Sequence, residues 1–164
     1  MAFPVHTLRD RVAVYITDVL GRLLVFEHRD FPDAGVQVPG GRHEPGETAA
    51  EAARREAWEE TGLACPGDAA FLGERTFEWP GSDGVNRQRS TAWHLTAPAG
   101  APEAWLHVVT AGEEDGGLVF LCRFQPLEAV EREARMTDYH KTWLPELRGR
   151  LNAPGRTAGA EERA

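Results

Sequence analysis

Positive charge, cysteine and long apolar runs are all scarce in this 164-residue chain. Lysine and arginine number 18 against 26 aspartates and glutamates, a formal net charge of −8. Such a balance argues against binding to long nucleic acid or an anionic membrane, where affinity rests on clustered positive charge. A small anionic substrate is not excluded, because a bound cation can invert the local charge. Cys65 and Cys122 are the only cysteines, far apart and without metal-ligand spacing, so both read as reduced residues. The six histidines show no zinc spacing either. No apolar run approaches the ~20 residues of a membrane-spanning helix. Residues 1–11 lack the apolar core and cleavage site of a secretory signal, which points to a cytoplasmic chain. There is no internal repeat and no heptad pattern.

What is present is ordinary for a globular protein: 41% hydrophobic and 27% charged residues. The length suits one domain, placed here over residues 1–151. Residues 152–164 are mostly alanine, glycine, proline and charge, and are expected to form a disordered tail. Strands are predicted over 12–17, 23–27, 36–38, 71–78, 88–96, 105–110 and 118–124, from β-branched and apolar residues between turn signals. Pro39, Gly40 and Gly41 predict a bend. Pro126 to Glu133 predicts a short helix, and Thr137 to Leu151 another that Pro145 kinks or divides.

The clearest element is a helix over 48–60. Thr48 and Glu51 make a capping-box pattern, and Gly62 suits a left-handed stop. Ala49, Ala53 and Ala57 form a small-residue stripe that permits close approach to a sheet. Glu56, Glu59 and Glu60 stand at i, i+3 and i+4, projecting three carboxylates from one face. Like charges at that spacing repel, and an oxygen-liking divalent cation would offset the repulsion. Mg²⁺ is typically held by a few carboxylates together with substrate phosphates.

A Glu-rich helix face alone is most often solvated surface. Here the acids sit inside a longer pattern, Gly-x5-Glu-x7-Arg-Glu-U-x-Glu-Glu-x-Gly-U with U apolar, satisfied from Gly41 to Leu63. Seven fixed residues at about 7% each make a chance match on the order of one in a million. Through Gly41, Glu47, Arg55, Glu56, Glu59, Glu60, Gly62 and Leu63 the chain resembles the Nudix hydrolase superfamily. Ala57 is smaller than the usual residue at the first U position, a departure that touches packing. The resemblance implies an α/β fold: an α/β/α sandwich with a mixed sheet and the motif as a loop and helix.

It also implies hydrolysis of a pyrophosphate bond in a small nucleotide, either a (d)NTP or a nucleoside diphosphate linked to another moiety, with Mg²⁺ or Mn²⁺ as cofactor. Glu59 and Glu60 would be metal ligands, and Glu56 a ligand or the general base. Arg55 would orient the carboxylates. The Gly41 carbonyl would add a metal ligand, and Glu47 would support the loop–helix junction or a second ion. A late loop often completes such sites, and Glu114 or Glu113 is the candidate there. The alternative is a catalytically silent member of the family that senses a nucleotide. Many members pair, so a homodimer is left open.

For substrate contacts the aromatic candidate is Trp79, at a strand end beside Pro80 and Gly81. Arg87 and Arg89 are candidates for a terminal phosphate, and Arg29 faces the same region from the preceding loop. His94 and His107, inside strands, read as structural.

Overall fold

A computed structural model of the chain describes residues 2–111 and 116–154. Eight strands form one mixed sheet: β1 (Val5–Thr7), β2 (Arg11–Thr17), β3 (Leu23–His28), β4 (Gly40–Arg42), β5 (Ala70–Pro80), β6 (Val85–Thr96), β7 (Ala104–Val108) and β8 (Val119–Gln125). Their order is β1-β6-β2-β3-β8-β7, with β4 on β2 and β5 on β6. The β1–β6 and β2–β6 pairs are parallel and the rest antiparallel. Among the described residues the α-helices are α1 (Ala49–Thr61), α2 (Leu127–Glu131), α3 (Asp138–Lys141) and α4 (Leu144–Leu151).

Strand alternation builds the layers. Val12, Val14 and Ile16 of β2 face one way, onto Ala52, Ala53 and Ala57 of α1. Ala13 and Tyr15 face the other way, onto Leu127, Val130, Trp143, Leu144 and Leu147. The sheet is therefore sandwiched between α1 and the C-terminal helices, the expected α/β/α arrangement. No helix among the described residues is long and apolar enough to cross a membrane.

One irregularity positions the site. β2 and β3 are register partners only at Thr17 and Leu23, then part. The segment 36–42 fills the gap. Gln37 exchanges backbone hydrogen bonds with Phe26 of β3 at 2.9 and 3.0 Å, and Val14 of β2 donates to Pro39 at 2.8 Å. Gly40, Gly41 and Arg42 then pair with Ala13, Val12 and Arg11.

Two expectations are corrected here. Residues 36–38 form isolated bridges rather than a strand, because each side of the segment meets a different neighbour. Gly40 and Gly41, expected in a bend, lie in β4, because the parted β2 has an edge to be paired. Two further points concern an added element and the place of an expected division. The N-terminal β1 was not anticipated. The predicted 137–151 helix is divided at Thr142 and Trp143, and Pro145 lies in the first turn of α4, where its missing N–H costs little. Residues 155–164 of the expected tail lie outside the described residues.

Candidate active site

Helix α1 begins as its sequence requires. The Thr48 hydroxyl accepts from the Glu51 N–H at 3.2 Å, and the Glu51 carboxylate accepts from the Thr48 N–H at 2.8 Å. Gly62 closes it in the left-handed region, at φ 75°. Between these ends the alanine stripe seats the helix on β2 and turns Glu56 and Glu60 toward β4. Both are buried, at 8% and 5% exposure.

Arg55 is the hub of the acidic face. Its Nε and Nη2 donate to the two oxygens of Glu47 at 2.7 and 2.9 Å. Nη1 donates to Glu56 Oε1 at 2.9 Å and to Glu59 Oε2 at 3.2 Å. Nη2 also donates to the Arg42 carbonyl at 2.9 Å, which ties the helix to β4. The geometry offsets much of the repulsion among these carboxylates. It holds the Glu47 carboxyl below its ordinary range, chiefly through the Arg55 hydrogen bonds. The Glu59 carboxyl is pushed up, because burial outweighs Arg55 and Glu56 adds repulsion.

Glu60 reaches in the opposite direction, where its Oε1 accepts from the Gly40 N–H at 3.1 Å. Glu56 lies against Gly41 so closely that a Cβ there would stand 2.2 Å from its Oε1. Only the bare glycine backbone leaves the carboxylate its place. Carboxylate and backbone carbonyl oxygens form an all-oxygen anionic donor set, the kind a hard divalent cation takes. Among the described residues no three acidic, imidazole or thiol groups converge on one point. The acids are instead gathered around Arg55.

Beside Glu60, where residues 37–40 run along β2, lies a cavity of about 210 Å³. Its walls include Arg11, Gln37, Glu60, Gln88, Tyr139 and His140. That is smaller than the ~300–1,000 Å³ of a pocket for a whole drug-sized ligand, and suits one ring system. Tyr139 is fixed by ring contacts to Phe77 and Trp143 and by its hydroxyl, which donates to Ser90 Oγ at 3.2 Å. His140 is anchored through its carbonyl, which accepts from the Tyr15 hydroxyl at 2.7 Å. Its Nδ1 is buried and has no hydrogen-bond partner among the described residues. Burial, with Arg11 second, pushes its pKa down to about 4.

The structure thus brings together Gly41, Glu47, Arg55, Glu56, Glu59 and Glu60. The candidate Glu114, with Glu113, lies outside the described residues. The other candidates lie elsewhere. Trp79 is exposed near the tip of the β5–β6 hairpin, opposite Asn86. Arg87 pairs with Glu78 at 2.7 Å, Arg89 with Asp10, and Arg29 with Asp30 at 3.0 Å. Sequence reasoning missed the cavity wall: Arg11, Gln37, Gln88, Tyr139 and His140 carry no local signal that marks them as a site. His94 bonds Thr17 and Arg150, and His107 bonds the Glu59 carbonyl, as structural residues do. Both cysteines are free, with thiols pushed up by burial to about 11 at Cys65 and about 12 at Cys122, far from nucleophilic range.

Comparison with known proteins follows the same lines. The family model described as the NUDIX domain matches residues 7–147. No curated protein matches the chain. Among solved structures, the MutT protein from Methanosarcina mazei Go1 is similar at TM-score 0.58 and 19% identity, covering 93% of this chain and 99% of that one. The MutT protein from Bacillus halodurans is similar at TM-score 0.60 and 16% identity, covering 89% and 84%. At those identities the likeness speaks to the fold.

Proposed function

This chain belongs to the Nudix family, a family of nucleotide pyrophosphate hydrolases, and we propose that it hydrolyses a pyrophosphate bond in a small nucleotide with Mg²⁺ or Mn²⁺ as cofactor. The observation that carries this reading is the set of Glu47, Glu56, Glu59 and Glu60 gathered around Arg55 against β4, with a ring-sized cavity beside Glu60.

In this reading Glu56, Glu59, Glu60 and the Gly41 carbonyl hold the cation. When bound, a divalent ion supplies charge neutralisation at phosphoryl oxygens and a more acidic water. Arg55 keeps one oxygen each of Glu56 and Glu59 in place, so the carboxylates are aligned before substrate arrives. Glu56 Oε2 is then left to ligate or to take the proton of the attacking water. Glu47 spends one oxygen on Arg55 alone and the other on both Arg55 and the Glu44 N–H. Its work here is to brace the loop–helix junction, and service to a second ion would require Arg55 to let go. Glu114 is the late-loop acid proposed to complete the set. The cavity takes the ring of the substrate, with Tyr139 as an aromatic wall and the amides of Gln37 and Gln88 as polar partners.

A panel of nucleotides incubated with the protein and Mg²⁺, with phosphate and pyrophosphate release measured, tests the proposal. At least one member should be turned over, and Glu59→Gln should lose about 10²-fold or more of that rate. Calorimetric binding without turnover of any member, with Mg²⁺ or Mn²⁺, would instead favour the silent sensor.

A further inference from the structure

Arg29, Arg87 and Arg89, the phosphate candidates of the sequence, are already matched with carboxylates, yet a different pair is not. Arg11 opens β2 and stands directly across from Arg42 in β4 and Ser90 in β6. Directly opposed residues project to the same face of a sheet. Here that is the face of Tyr139, which bonds Ser90, and of the cavity that Arg11 lines with Glu60 and His140. No hydrogen bond or ion pair among the described residues engages either guanidinium; Arg42 takes part only through its carbonyl.

Two like charges directly opposed destabilise a sheet. A chain with 26 acids had ample means to match them. Elsewhere it does so: Arg22, Arg123, Arg135 and Arg148 each face a carboxylate within 4 Å. A guanidinium offers only donors, in a fork suited to phosphate oxygens. A neutral ring edge would satisfy one fork and leave the repulsion between the two, whereas a polyanion relieves both.

We infer that Arg11 and Arg42 form a two-pronged seat for phosphoryl oxygens of the substrate, on the sheet face that bears the cavity. The identity of the anion rests on the hydrolytic reading above. The seat itself is tested without turnover.

The probe is inorganic tripolyphosphate, titrated calorimetrically into the full chain with excess Mg²⁺, beside a nucleoside that carries no phosphate. Arg11→Gln and Arg42→Gln should each weaken tripolyphosphate about 10-fold or more, by loss of a charge-assisted contact. Arg11→Lys should recover part of that loss. Nucleoside binding should stay within about 2-fold. Arg75→Gln makes the same charge change in the same sheet row, opposite Ser90 on β5, and should leave tripolyphosphate binding within about 2-fold.

Absence of tripolyphosphate binding to the parent chain, an unchanged affinity in both variants, or an equal loss in Arg75→Gln overturns the inference. So does an equal loss for the bare nucleoside, which would make Arg11 a reader of the ring. Arg42 is exposed, so its variant carries the test if Arg11→Gln does not fold. Arginine-dependent binding without turnover of any nucleotide removes the hydrolytic reading and keeps the seat. Turnover with unchanged KM in both variants does the reverse.

Discussion

Replacing Gly41 by alanine separates the chemistry of the acidic face from the stability of the fold. The new Cβ would stand 2.2 Å from Glu56 Oε1, 2.6 Å from its Cδ and 2.9 Å from Oε2. All three atoms end one side chain, so the overlap is relieved by swinging the carboxylate aside. That movement breaks the 2.9 Å bond from Arg55 Nη1. A hydrogen bond to a charged group is worth about 1.5–3 kcal/mol, but Arg55 keeps Glu47 and the Arg42 carbonyl and water can partly replace Glu56. The net loss should be about 1 kcal/mol, a fall in Tm of roughly 2–4 °C for a chain of this size. The catalytic loss should be far larger, on the order of 10²-fold in kcat/KM, because the carboxylate proposed to ligate the cation has moved.

Gly40→Ala supplies the contrast. There the Cβ would stand 2.4 Å from the Val12 carbonyl oxygen, a strand backbone atom with no rotamer to escape into. Relief requires opening the β2–β4 pairing, at about 3 kcal/mol, or roughly 6–12 °C in Tm. Circular-dichroism melts, nucleotide turnover and calorimetric Mn²⁺ binding, measured on both variants, decide the matter. Full activity and parental Mn²⁺ affinity in Gly41→Ala would refute the placement of Glu56 in the machinery. Equal destabilisation in the two variants would refute the steric argument.

Two other perturbations have definite signs. The Glu59 carboxyl is raised above its ordinary range, chiefly by burial, so its charged form is penalised in the folded state. Stability from this group is greatest below the unfolded value and declines as pH rises through the folded one. Without metal at pH 7, Glu59→Gln should therefore melt above the parent; Mn²⁺ should raise its Tm less than the parent's, and with Mg²⁺ it should lose activity. His140 shows the opposite dependence. Its pKa falls from 6.5 to about 4, so the unfolded chain takes the proton first. Stability is full above pH 6.5 and drops as pH falls through that window, by at most about 3 kcal/mol. His140→Gln should flatten this part of the profile, read as urea midpoints at pH 7 and pH 4.5; a parent whose midpoint does not change between them would refute the burial argument.

The two halves of the site were unequally legible in the sequence, for a physical reason. Glu56, Glu59 and Glu60 lie within about one turn of one helix, and Thr48, Glu51 and Gly62 mark where that helix starts and stops. Every relation among them is local, so spacing alone predicts that they share a face. The register of Glu78 against Arg87 was also within reach, since the turn over 80–84 folds one onto the other and removes that arginine from the free cations. Gly40 and Gly41 were not. Nothing in a Pro-Gly-Gly run favours a strand, and β4 exists only because β2 and β3 part company below Thr17 and Leu23.

The cavity lies further still from any local signal. Tyr15 and His140, 125 residues apart, meet through one hydrogen bond that brings α3 against β2. Arg11 becomes a cavity residue only through that meeting. The division is functional as well as structural. Splitting a pyrophosphate calls for several acids at fixed short spacing, which one helix turn provides and a motif records. Choosing which pyrophosphate calls for walls contributed by β2, β4, β6 and α3 together. A chain read in one dimension therefore discloses its family well before any substrate, and on the proposed function variation at Arg11, Gln88, Tyr139 and His140 is the place to look for substrate choice.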